Sequence, residues 1–319
     1  MHLLLEAWVR RAEAGLRFDG KSGKQLLAAQ HVTRLLQSLD AADLPVGSQD
    51  FGVALKAWAR QLLPEGKHSL GGESTVLPNS AVEAFALWKY TAQKLNKVPP
   101  MVYCNHALKA CVNASLHTLR NPHLHKPDRC RKLTEIFDLA MNVYGLMRLH
   151  EARHKGRPDK QRLKRDSFSY MTILQVWKNA RIPFDVNVKD ALDFADQVMT
   201  EACAEGLLSQ AVCFELVDFL LSLKSNDTAA IQKATETLFC LPESDIIGIL
   251  QIDAANFFRD QRSSKLLWRG ATAPPPEILI HNLPSEWSRR TSVGKEFRRH
   301  NHNNRYARRM MLLSRAAVE

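Results

Sequence analysis

Leu5-Glu6-Ala7-Trp8, Leu55-Lys56-Ala57-Trp58, Leu108-Lys109-Ala110-Cys111 and Leu174-Gln175-Val176-Trp177 are four versions of one phrase. Phe51, Cys104 and Tyr170 stand four residues before the Leu in three of them. In an α-helix, positions i−4, i and i+3 share a face, so each copy presents the same apolar stripe. The copies recur at spacings of 50, 53 and 66 residues, the mark of stacked helical units. After each copy, across a polar gap, comes a second apolar-periodic segment: Ala28–Leu39, Val82–Leu95, Leu133–Met147 and Val188–Met199. In the third, Ile136, Phe137, Ala140, Val143, Tyr144 and Met147 keep the helical period. Each unit therefore reads helix A, linker, helix B. One such hairpin cannot bury its apolar face alone. The expected fold class is all-α, a right-handed solenoid of helical hairpins with long inter-helix insertions.

Val102-Tyr103-Cys104-Asn105-His106-Ala107-Leu108-Lys109-Ala110-Cys111 and Phe168-Ser169-Tyr170-Met171-Thr172-Ile173-Leu174 carry a family likeness. They resemble the first helix of pentatricopeptide repeats, which reads Tyr-Asn, an aliphatic pair, then small and aromatic residues. The resemblance covers roughly residues 1–205, and Val212–Leu223 with Ile231–Leu241 reads as a worn last hairpin. The hairpins fall at roughly 1–40, 49–96, 101–155, 166–206 and 209–241, in an array over 1–262. A Pro-containing linker and basic extension occupy 263–319. The resemblance implies a non-enzymatic RNA-binding protein of mitochondrion or plastid, acting in RNA metabolism or translation without a cofactor. Its implied partners are organellar mRNA or rRNA and subunits of ribosomal or other ribonucleoprotein complexes. The related tetratricopeptide type usually binds protein, so a protein–protein scaffold, including a structural subunit of an organellar ribosome, is the alternative.

In that family, base choice is attributed to the polar residue after the helix-A Tyr and to the residue ending the repeat. With Cys104 aligned to that Tyr, the resemblance implies Asn105 and Asp166 as the pair, a combination that favours uracil. The Asn amide can both donate and accept at a pyrimidine edge, and Asp can orient it. The other repeats offer Gly52 with Pro100, and Met171 with no clear partner. The competing reading is that Asn105 caps a helix beginning near His106.

The formal net charge of +11 is unevenly spread. Residues 148–165 hold eight basic residues (Arg148, Arg153, Lys155, Arg157, Lys160, Arg162, Lys164 and Arg165) against Glu151 and Asp159. Residues 285–319 hold nine against three, so each segment nets +6 and the other 266 residues net −1. A near-neutral body with two basic segments is the composition of a polyanion binder, with RNA the expected ligand. In the second segment, Arg289 and Arg290 precede Arg298, Arg299, Arg305, Tyr306, Arg308 and Arg309. Guanidinium groups fork phosphate and Tyr stacks on an unpaired base. The solvated alternative is a loop and a tail with no ligand. Pro274-Pro275-Pro276 is expected to act as a stiff spacer.

His150-Glu151-Ala152-Arg153-His154 satisfies the His-Glu-x-x-His pattern of zinc proteases. Against a zinc-dependent hydrolase stand the crowding cations Arg148, Arg153 and Lys155, which oppose a divalent metal. Gly156-Arg157-Pro158 also ends the helix at once, so the motif reads as a helix end entering a basic loop. No glycine-rich nucleotide loop or Gly-x-Ser-x-Gly occurs. His123/His125 and His300/His302 read as surface residues. The six cysteines lack a Cys-x-x-Cys and read as reduced core residues. Arg289-Arg290-Thr291-Ser292 resembles a site for an Arg-directed kinase. No apolar run approaches the roughly 18 residues a membrane span needs. Met1–Leu5 already reads as the inside of a helix A, as in a chain beginning mid-repeat; Glu6 and Glu13 argue against a mitochondrial presequence.

Overall fold

Each apolar-periodic segment of the four units is a helix in the computed structural model. It describes residues 2–13, 17–19, 25–61, 79–96, 98–121, 124–153, 164–181, 188–223 and 285–291. Two compact units divide the chain, Met1–Val186 and Asn187–Glu319. The first contains α1 (His2–Glu13), α2 (Ala28–Ala41), α3 (Ser48–Arg60), α4 (Ser80–Leu95), α5 (Met101–Arg120), α6 (Lys126–Arg153) and α7 (Ser167–Ala180). The second contains α8 (Val188–Ala204), α9 (Gln210–Leu221) and the single turn α10 (Ser285–Ser288). Extended pairing among the described residues is limited to β1 (Arg17–Asp19) against β2 (Gln25–Leu27), antiparallel with Arg17 opposite Leu27. The fifth hairpin keeps α9; its second helix, read at Ile231–Leu241, lies outside the described residues, as does the tail from Ser292 onward.

Within the first unit, α1 packs on α3, α3 on α5 and α5 on α7. Each B helix packs on its own A helix and on the next, so α2 touches α1 and α3, α4 touches α3 and α5, and α6 touches α5 and α7. Small residues make the close approach feasible: Ala54, Ala57, Ala107 and Ala110 are buried on the A helices. Gly52 marks one close approach, since a Cβ there would lie 2.3 Å from Cε1 of Tyr103. The repeated Leu residues, Leu5, Leu55, Leu108 and Leu174, are completely buried.

Polar groups cross the same interfaces. Gln61 Nε2 reaches the Ala12 carbonyl at 3.5 Å, Asn113 Nδ2 donates to the Ala59 carbonyl at 2.7 Å, and Asn179 Nδ2 donates to Ser115 Oγ at 3.1 Å. Each is an amide five or six residues after the core Leu, aimed at the preceding A helix. Helix ends are set locally. Asn79 Oδ1 accepts from the Ala81 N–H at the start of α4, and Asn96 closes that helix in the left-handed region at φ 47°. Asp166 caps α7 in a capping box with Ser169.

In the second unit, α8 ends on Gly206 at φ 68°, with the Leu207 N–H returning to the Ala202 carbonyl at 2.8 Å. Ala195, Val198 and Ala202 of α8 and Val212, Leu216 and Phe219 of α9 are buried. The α10 segment docks on this turn: the Leu208 N–H donates to the Trp287 carbonyl at 2.9 Å, and the Arg290 N–H to the Gly206 carbonyl at 2.8 Å.

Trp58 is 0% exposed and its indole N–H donates to Thr33 Oγ1 of α2 at 2.9 Å. Trp177 is also buried, edge-on to Phe137 of α6. Trp58→Ala and Trp177→Ala should each destabilise the protein by about 3–5 kcal/mol, measured as a fall in the denaturant midpoint. Lys56→Ala, at a half-buried position, should shift it by about 1 kcal/mol or less.

Candidate functional site

On each A helix, positions −3, +1 and +5 relative to the core Leu share a face at i, i+4 and i+8 and form one stripe. It is covered at Gly52, Asn105 and Asn179 and open or half-open at the other described positions. Row +1 across the four helices reads Glu6, Lys56, Lys109 and Gln175, all half-buried; row +5 reads Arg10, Arg60, Asn113 and Asn179, of which the two arginines are exposed. Lys56 Nζ pairs with Glu6 Oε2 at 2.9 Å. His106, half-buried beside this stripe, has its pKa lowered to about 4 by burial and by the cations Arg60 and Lys56, against a smaller opposing effect of Glu6. The near-neutral body read from the sequence thus gathers cations on the open side of its A helices.

Row −3 holds the residues singled out for base reading. Asn105 lies in the second turn of α5, which begins at Met101, so it is not the cap of a helix starting near His106. It meets Asp166 across the α5–α7 interface: Asn105 Nδ2 donates to both carboxylate oxygens at 3.0 Å. Ser169 Oγ donates to Asn105 Oδ1 at 2.7 Å, and the Ser169 N–H to Asp166 Oδ1 at 2.9 Å. This network fixes the amide, whose oxygen faces the hydroxyl while its nitrogen faces the carboxylate. Asn105 is 6% exposed, whereas Asp166 is half-exposed. At the equivalent place on α3, Gly52 is covered by Tyr103, whose hydroxyl donates to the Ser48 carbonyl at 2.6 Å. Met171 on α7 is half-buried, and Pro100 occupies the N-cap position of α5.

Two apolar side chains beside the pair escaped the sequence reading. Val102, one turn before Asn105, is 56% exposed; Phe168, two residues after Asp166, is 38% exposed. Both stand six residues before the core Leu of their helix. That shared register was the available signal, as it was for the cations of rows +1 and +5.

The basic segment 148–165 divides. Arg153 ends α6 exposed and Lys164 is half-exposed, while Lys155, Arg157, Lys160 and Arg162 lie outside the described residues. Arg165, read from sequence as an RNA contact, instead points inward. Its Nε donates to Glu151 Oε2 at 2.7 Å, its backbone N–H to Glu151 Oε1 at 3.2 Å, and Nη1 to the Tyr144 hydroxyl at 2.9 Å. Its guanidinium carbon lies 5.1 Å from the ring centres of both Tyr144 and Tyr170. The Glu of the His-Glu-x-x-His motif therefore has both oxygens engaged by Arg165. His154 is outside the described residues, and among these no group of three or more His, Cys, Asp or Glu is placed to hold a metal. Cys104, Cys111 and Cys213 are buried thiols pushed up to about 12 by desolvation, and Cys130 and Cys203 are half-buried. No described helix is long and apolar enough to cross a membrane.

In the second segment, Arg289 and Arg290 are exposed, with Arg290 Nη1 on Glu205 Oε2 at 3.0 Å. Arg298, Arg299, Arg305, Tyr306, Arg308 and Arg309 lie outside the described residues. Comparisons with protein-family profiles, curated proteins and solved structures returned no match.

Glu151→Ala would strand a buried guanidinium and should cost about 3–5 kcal/mol, with a smaller loss for Glu151→Gln, read from denaturant midpoints. His106 provides a pH signature. Because its folded pKa is about 4 against 6.5 for the free side chain, only the unfolded chain binds the proton between those values. The neutral-His contribution is full above pH 6.5 and should be lost as pH falls towards 4, by on the order of 1–3 kcal/mol. His106→Gln should remove that limb from the stability–pH profile.

Proposed function

We propose that the chain is a non-enzymatic RNA-binding protein, its hairpins continuing as a right-handed solenoid of pentatricopeptide-like repeats. The organellar setting and roles in RNA metabolism or translation come with that family resemblance. The observation that carries the reading is the Asn105–Asp166 contact. An amide on one A helix and the carboxylate opening the next are held 3.0 Å apart, with Asp166 half-exposed. Val102 and Phe168 offer apolar surfaces against which an unpaired base can stack. An accepting carboxylate suits a base edge that donates, as the uracil N3–H does. The cations of the open stripe, with Lys164 and Arg153, supply sequence-independent attraction for the phosphates. Gly52 lies under Tyr103, so base recognition is confined to the α5–α7 junction.

A second reading has its own support. Both ends of the Asn105 amide are already engaged, by Ser169 and Asp166, which is what a purely structural tie between hairpins requires. On that reading the protein is a scaffold for other proteins, including a subunit of an organellar ribosome. Titration with short oligonucleotides separates the two. RNA recognition requires Asn105→Ala to weaken a uridine-containing ligand by about tenfold, the 1–3 kcal/mol scale of a specific base contact, while sparing one substituted at that nucleotide. Replacing Arg10, Lys56, Arg60 and Lys109 with Gln should lower the salt slope by about one for each phosphate that is no longer neutralised. Equal weakening of every ligand, or binding without salt dependence, favours the scaffold.

A further inference from the structure

We propose that the outer face of α6 is a self-association surface, which takes the same helix of a second copy of this chain, antiparallel, across a two-fold axis. Asp138, Asn142, Gly145, Leu149 and Ala152 are all exposed and follow one another at spacings of four, three, four and three residues. That spacing is the seam of a helix made to lie against another helix. A face turned to water should be polar along its whole length, yet the C-terminal half of this one is apolar. Leu149 is 44% exposed, and Leu146 beside it is 40% exposed. A Cβ at Gly145 would meet nothing within 4 Å, so the seam carries an open notch at its middle. Ile136, Ala140, Val143 and Met147, on the other face of α6, are buried in the array.

Charge identifies the occupant. The seam starts at Asp138 and ends beside Arg153, the exposed last residue of α6. Among the described residues neither has an ion-pair partner. With the axis between Gly145 and Leu146, antiparallel copies set Asp138 opposite Arg153 of the second copy. The contact is isologous, so that pair forms twice. The same register lays Leu149 on Asn142 and Leu146 into the notch at Gly145. A parallel pair would instead set Asp138 against Asp138 and Arg153 against Arg153, which like-charge repulsion opposes. An antiparallel axis centred on Leu149 would leave Asp138 opposite no residue of the other α6. An Asn in a seam costs stability and selects register. One helix pair is also a small interface, so the dimer is weak, with a Kd of about 1–100 μM. Arg153 is among the cations assigned to phosphate, so the contact is measured without RNA; the proposal does not rest on the RNA reading.

The full chain, free of RNA, should sediment as a concentration-dependent mixture of monomer and dimer between about 1 and 200 μM. Leu149→Lys and Gly145→Gln, both at exposed positions, should weaken the dimer by about tenfold or more, with the helical circular dichroism unchanged. Asp138→Arg and Arg153→Asp should each abolish dimerisation, because each sets two like-charged pairs face to face. The double variant should recover it to within about threefold of the native Kd. A chain monomeric throughout that range would give this face to a different partner and overturn the proposal. So would a dimer indifferent to Leu149→Lys, or a double charge reversal no stronger than the single ones.

Discussion

The close packing of successive A helices is the constraint that organises the described part of the first unit. Packed in series, α1, α3, α5 and α7 leave little room for side chains between them. The sequence answers with alanines on the contacting faces, with Gly52 beneath Tyr103, and with amides that bond across the gap. Buried amides carry a desolvation penalty unless paired. Asn113 and Asn179 meet that condition only when the preceding helix is in register, so the same bonds that satisfy them also fix the stacking order.

Much of this arrangement was readable because apolar periodicity is local. The Leu-x-Ala-Trp phrases placed every A helix, and the following periodic segments placed α2, α4, α6 and α8 to within a few residues at most ends. The α6 helix is the exception: it begins at Lys126 and ends at Arg153, well outside the apolar window 133–147. Its flanking turns are polar because they project beyond the core, and periodicity is silent where nothing is buried. Trp58 and Trp177 were legible as core for the same local reason.

The site was less legible, since charge and polarity gain meaning only from neighbours distant in the chain. Asn105 and Asp166 are 61 residues apart, and family register alone suggested their meeting. Arg165 counted as one more cation in a basic run until Glu151, Tyr144 and Tyr170 closed around it. Summed over the sequence, the body outside the basic segments was nearly neutral, yet Arg10, Lys56, Arg60 and Lys109 emerge on a common stripe. A net count discards that information, whereas aligning the four phrases on their Leu recovers it.

The Glu151–Arg165 pair also has a mechanical consequence. It ties the end of α6 to the residue before the α7 cap, closing the chain between them at its base. The ends of the two helices are therefore joined by a contact between residues 14 apart in sequence, so the approach of α6 to α7 is set by the clasp itself.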